Sequence, residues 1–165
     1  EGCPMNSVIK SSLLLAVIIA VVTLGFTFSG FQLSSPLLGG LIFVVIAILA
    51  NIGCLFWGLS GSAAESGYGK QLLNSLIFGV VAGVLIFCIS MLIMTVVAPD
   101  NYFEEVKTAS VEALESINMP EEALAKQVEK IEAKTPMGEA LAGLIGTIGT
   151  SLFFGAIIAI FKRRK

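Results

Sequence analysis

Chemistry in this chain would have to come from very few side chains. Two adjacent carboxylate pairs, Glu104/Glu105 and Glu121/Glu122, are the only clusters from which a general base or a metal ligand could be drawn. Each pair stands at the start of a helical segment, where the positive helix end favours acids without any catalytic role. Paired glutamates in such a charged stretch form a solvated helical face. There is no histidine, and Cys3, Cys54 and Cys88 show neither C-x-x-C nor Cys/His spacing. No Ser/His/Asp set, phosphate loop or zinc spacing is present. These residues predict a protein that is not an enzyme and that carries no cofactor and no metal.

A different kind of polar residue is Asn51, the most polar side chain deep inside a long apolar run. An amide buried in hydrocarbon costs kilocalories unless it is partnered, so Asn51 is expected to face another helix and make an interhelical polar contact. A substrate or ion role is the competing use. Proton-coupled pumps and transporters place Asp, Glu, His, Lys or Arg within their spans, and none occurs here.

The elements that hold these residues follow from charge patterning. Ser11 to Ala64, Gln71 to Pro99 and Ala140 to Phe161 contain no charged residue. A helix needs about 20 apolar residues to cross a roughly 30 Å hydrocarbon core, so the first stretch holds two crossings and the others one each. With 56% hydrophobic and 13% charged residues, the composition is not that of a soluble domain. The fold class is therefore all-α: a polytopic membrane protein of four transmembrane helices. The expected organisation is an N-terminal tail over 1–10, helices one to three within 11–99, an acidic extramembrane segment over 100–135, helix four over 136–161 and a basic tail over 162–165.

Punctuation sets the boundaries. Span one runs over about 11–28, and the Ser29-Gly30 and Ser34-Ser35-Pro36 clusters break it. Pro36 suits the first turn of span two, with Ser34 or Ser35 capping its free amides. Span two ends near Leu59, with Trp57 at an interfacial level and a Gly/Ser/Ala-rich turn over 58–69. Span three, 72–97, carries sixteen Leu, Ile, Val or Phe residues and exceeds the bilayer thickness, so it must tilt or protrude. Pro99 stops it. Glu1 to Pro4 reads as a tag remnant, a processed end or upstream readthrough before Met5, and the long apolar run after Lys10 lacks a signal-peptide cleavage pattern.

From Asp100 to Glu139 ten acids face four lysines, a net −6 within a chain of net −2. Such asymmetry fits an acidic insert on one side of a membrane and basic anchors on the other, and it excludes a nucleic-acid partner. Phe103, Val106, Leu114 and Ile117 mark one amphipathic helix, and Leu124, Val128 and Ile131 the next. The break is Asn118-Met119-Pro120, with Asn118 in capping-box spacing to Glu121. This predicts a helical hairpin between spans three and four, packed on itself, on the bilayer surface or on a partner. Thr135-Pro136 opens the last helix.

The flanking cations are Lys10, Lys70 and the Lys162, Arg163, Arg164, Lys165 cluster. They predict both termini on the cytoplasmic side and the hairpin outside. Ser75, Gly79 and Gly83 recur every four residues in span three, as do Ala142, Gly146 and Thr150 in span four. Small residues at that spacing let helix backbones approach, either within the bundle or as a homo-oligomer interface. The spacing also predicts that Gly83→Leu costs more than Ala82→Leu.

This order of elements, with Pro-Asp-Asn-Tyr-Phe closing span three, an acidic hairpin, and a Gly-rich last span ending in Phe-Lys-Arg-Arg-Lys, resembles the domain-of-unknown-function 4199 family of bacterial membrane proteins. The resemblance covers Met5 to Lys165. It implies a small bacterial inner-membrane protein and brings no activity, cofactor or catalytic residue. The functional expectation is a structural or interaction subunit whose partners are the lipid bilayer and a protein bound through the hairpin. The alternatives are an oligomeric transport component and a membrane sensor that uses the hairpin as receiver.

Overall fold

The computed structural model describes residues 4–61, 67–117 and 119–162. Its elements are α1 (Pro4–Ser29), a one-turn α2 (Phe31–Ser34), α3 (Pro36–Ser60), α4 (Tyr68–Leu92) continued by a π-helical turn (Ile93–Val97), α5 (Tyr102–Glu115), α6 (Glu121–Glu132) and α7 (Pro136–Lys162). Four segments, Asn6–Ser29, Pro36–Ser60, Tyr68–Val97 and Pro136–Phe161, are long and apolar enough to cross a bilayer. Val21, Leu41, Leu49 and Phe153 on their outer faces are each more than 60% exposed. An apolar girdle of that kind is tolerated in lipid and not in water. The protein is an all-α, four-span membrane bundle with a helical hairpin, α5 and α6, between the last two spans.

Local chemistry explains the ends of the helices. Gly30, at φ +66°, turns the chain out of α1. Pro36 occupies the first turn of α3, as its missing N–H allows. The expected serine caps are not made: the Ser34 hydroxyl donates back to the Phe31 carbonyl at 3.3 Å, and Ser35 offers α3 only its backbone carbonyl, to Gly39 N–H at 2.7 Å. The intervening turn of α2 takes up the hydroxyl. Span three ends in a π turn, with Ala98 N–H reaching the Ile93 carbonyl at 2.8 Å. Ala98 is then extended at ψ 151°, as a residue before proline must be.

In the hairpin, Pro120 rather than Asn118 precedes α6, because its carbonyl takes the Ala123 and Leu124 amides at 2.9 and 3.0 Å. Glu121 is thus the first residue of the helix; the cap expected from Asn118 lies outside the described residues. At α7, Thr135 Oγ1 accepts the Gly138 N–H at 3.1 Å, which caps the helix ahead of Pro136.

The helices form a ring in which α4 and α7 pack most extensively, α1 packs on both α3 and α4, and α3 meets α7 over a shorter length. Val8, Leu15, Leu55, Leu59 and Phe78 form the buried core. They come from the first half of α1, the last part of α3 and the middle of α4, so the core fills the end of the bundle remote from the hairpin. Two expectations change here. Residues 4–10 are helical instead of a tail, and Gly58 belongs to α3 instead of a turn, because Val8 is buried and Ser7 Oγ donates to the Gly58 carbonyl at 3.2 Å. Any Cβ on Gly58 would collide with Ser11, so glycine is what lets α1 and α3 touch.

Candidate functional site: a cleft beneath the hairpin

Toward the hairpin the ring opens. Asn51 and Ser151 close its floor: Asn51 Nδ2 donates to Ser151 Oγ at 3.1 Å, and Ser151 Oγ donates to Asn51 Oδ1 at 3.3 Å. Both residues are buried, and the polar atoms of the pair answer one another across two helices. Beyond this point α3 and α7 diverge around a cavity of about 680 Å³. Its wall is contributed by residues 15–27 of α1, 36–51 of α3, 86–98 around the π turn and 139–150 of α7, and its roof by α5 with Ile131 and Lys134. The site is of ligand size, mostly apolar along its shaft and charged at one end.

The roof is held by Tyr102. Its hydroxyl donates to Gln32 Oε1 of α2 at 3.0 Å, and the ring is 9% exposed. Burial pushes the phenol above its ordinary pKa, while a side-chain hydrogen bond with Thr27 pulls it down. The tyrosine therefore stays a neutral donor at neutral pH. Asn101, at φ 62°, makes the sharp bend that sets α5 across the end of the bundle. No periodicity in the sequence marked Tyr102 or Gln32; the only signal was an aromatic residue next to a helix-breaking Pro-Asp-Asn.

Among the described residues three charged side chains reach the cavity, all at the hairpin end: Lys107, Lys134 and Glu139. Lys134 is paired with Glu139 at 3.1 Å. Lys107 lies 3.1 Å from Glu104, and its ammonium sits 5.9 Å from the Phe103 ring centroid. The Lys107 side chain is only 18% exposed, whereas Glu104 is 67% exposed and does not line the cavity. The remaining acids of the hairpin face outward, Glu105, Glu121 and Glu122 included. Among the described residues no three His, Cys, Asp or Glu come together as a metal site.

The small residues of α4 and α7 part company. Gly79 and Gly83 face α7: a Cβ on Gly79 would lie 3.1 Å from Ile148 Cα, and one on Gly83 3.2 Å from the Leu144 carbonyl. Ser75 is fully buried and lies where Gly155 leaves room for it. The α7 side of this contact is thus Leu144, Ile148, Ser151 and Gly155. Ala142 is exposed, and Gly146 and Thr150 line the cleft, with nothing within 4 Å of a Cβ placed on Gly146. The physical reason is rotation about α7: residues at 142, 146 and 150 share a face, but it is turned away from α4. Ala82 is 0% exposed and is itself part of the core, which removes it as a neutral comparison for Gly83.

Of the topology anchors, Lys10 and Lys70 are exposed on α1 and α4. Lys162 is the last residue of α7; its side chain and Arg163, Arg164 and Lys165 lie outside the described residues, as does Cys3. Cys54 is buried and Cys88 exposed, both as free thiols.

No curated protein and no solved structure matches the chain. Residues 10–164, nearly the whole chain, match the family described as Protein of unknown function (DUF4199), and the chain, with its four apolar spans and capping hairpin, belongs to that family.

Proposed function

We propose that this protein is a non-enzymatic structural or interaction subunit of a membrane complex, seated in a bacterial cytoplasmic membrane with both termini on the cytoplasmic side. One observation carries the reading. The hairpin is tied to the bundle through α5, with Tyr102 and Leu114 buried, while α6 has no buried residue and turns Glu121, Glu122, Glu129 and Glu132 outward. An acidic helix packed on α5, with its carboxylates turned outward, suits recognition of a basic protein surface. The positions of Lys10 and Lys70 support the orientation.

The test is affinity purification of the full chain from native membranes in mild detergent, beside a variant carrying Glu122→Lys and Glu129→Lys. The reading expects a specific protein that is lost from the variant and released by salt, as screening shortens from about 10 Å at 0.1 M to about 3 Å at 1 M. Retention of every partner by the variant would contradict it. A second reading, a membrane sensor with the hairpin as receiver, is favoured by the fact that α5 also lines the cleft.

A further inference from the structure

The cleft beneath the hairpin has a polarity gradient that the interaction reading does not use. From Pro36 to Asn51, α3 rises about 22 Å at 1.5 Å per residue, more than the roughly 15 Å of one hydrocarbon leaflet. Along that length the wall is uncharged and mostly apolar: Thr23, Thr147 and Thr150 spend their hydroxyls on carbonyls of their own helices, and the Asn51–Ser151 pair is self-satisfied at the floor. All the charge lies at the other end, and it is unbalanced: two lysines against one glutamate. Lys134 is answered by Glu139 within the cleft, whereas the partner of Lys107 is a solvent-facing glutamate outside it. A largely covered ammonium with an exposed partner gains from a second anionic acceptor.

Access is lateral. Leu41 and Val44 on α3, and Gly143 and Gly146 on α7, line the cleft and are also exposed, so its flank opens toward the bilayer between these two helices. The absence of side chains at Gly143 and Gly146 keeps the flank wide. The π turn at Ile93 and Met94, a feature that recurs at functional sites, forms part of the same wall.

We propose that the cleft binds one long-chain carboxylate amphiphile, a free fatty acid drawn sideways from the membrane, with its chain lying toward Asn51 and its carboxylate against Lys107. At about 30 Å³ per water-sized group the cavity holds roughly two dozen such groups, room enough for a single saturated chain with its carboxylate. Charge selects the acid over its esters, because among the described residues the Lys107 ammonium is the only cleft cation without a partner inside the cleft.

The probe is a palmitic acid carrying a mid-chain diazirine, added to the full-length protein in phosphatidylcholine nanodiscs, photolysed and mapped by peptide mass spectrometry. Labelling is expected on the cleft faces of α3 and α7, around Val44 and Thr147, with competition by palmitate and none by methyl palmitate or phosphatidylglycerol. Lys107→Gln should weaken labelling roughly tenfold, the loss of one charge-assisted hydrogen bond. Gly146→Leu, at a cleft position where an added Cβ meets nothing within 4 Å, narrows the cleft and should abolish labelling, whereas Gly25→Leu, in open space outside the cleft, should leave it intact. Should Gly146→Leu fail to yield monodisperse protein, Gly143→Leu serves the same purpose. Labelling spread evenly over lipid-facing positions such as Val21 and Leu49, equal competition by the ester or by phosphatidylglycerol, or unchanged labelling of the Lys107 and Gly146 variants would overturn the proposal.

Discussion

Asn51 on α3 and Ser151 on α7, 100 residues apart in the chain, exchange hydrogen bonds of 3.1 and 3.3 Å where these helices meet. Below the pair lies the packed core of Leu55, Leu59 and Phe78; above it the helices separate into the cleft. The pair therefore marks the boundary between the closed and open halves of the bundle.

Because each partner satisfies the other, Asn51→Leu should destabilise the bundle by only about 1 kcal/mol, in the range measured for interhelical hydrogen bonds in membranes. A double-mutant cycle with Ser151→Ala should give a coupling of about 0.6 kcal/mol. Unfolding in detergent mixtures measures both. A coupling near zero would mean that the two side chains do not meet.

Gly83→Leu should cost about 1–3 kcal/mol by overpacking, since its new side chain must enter α7 beside the Leu144 carbonyl. Val84→Leu, at a position 47% exposed, is the suitable comparison and should be close to neutral. Equal stability of the two variants would place Gly83 on a lipid-facing surface.

How far the sequence reveals this arrangement depends on the length scale. The four spans and the hairpin are legible because the bilayer fixes span length and because Asp100 to Glu139 is as acidic as the spans are apolar. The cleft is not legible. A helix apolar all round, such as α3 or α7, carries no hydrophobic stripe to say which face meets a neighbour. That is why Ser75, Gly79 and Gly83 lie in a helix contact while the identically spaced Ala142, Gly146 and Thr150 do not. Tyr102 was hidden for another reason: a single hydrogen bond to Gln32 has no periodicity to detect.

The docked hairpin should loosen in alkali. Burial raises the Tyr102 pKa in the folded protein above its unfolded value of about 10. The folded state then binds the extra proton, so its stabilising contribution is complete below about pH 10 and declines as pH rises through the higher folded value. Tyr102→Phe should remove this part of the dependence and lower stability modestly at neutral pH. Tyrosinate absorbance near pH 10 that titrates identically in folded and unfolded protein would refute the burial.

The fixing of α5 to the bundle as the roof of the cleft, with α6 packed outside it and turned to solvent, is read out by hydrogen–deuterium exchange of the full chain in nanodiscs. Amides within residues 103–114 of α5 should exchange much more slowly than those within 122–131 of α6, and Tyr102→Ala should speed the former without altering the latter. Equally rapid exchange in both helices, unaffected by Tyr102→Ala, would show that the hairpin is not docked and would contradict the account.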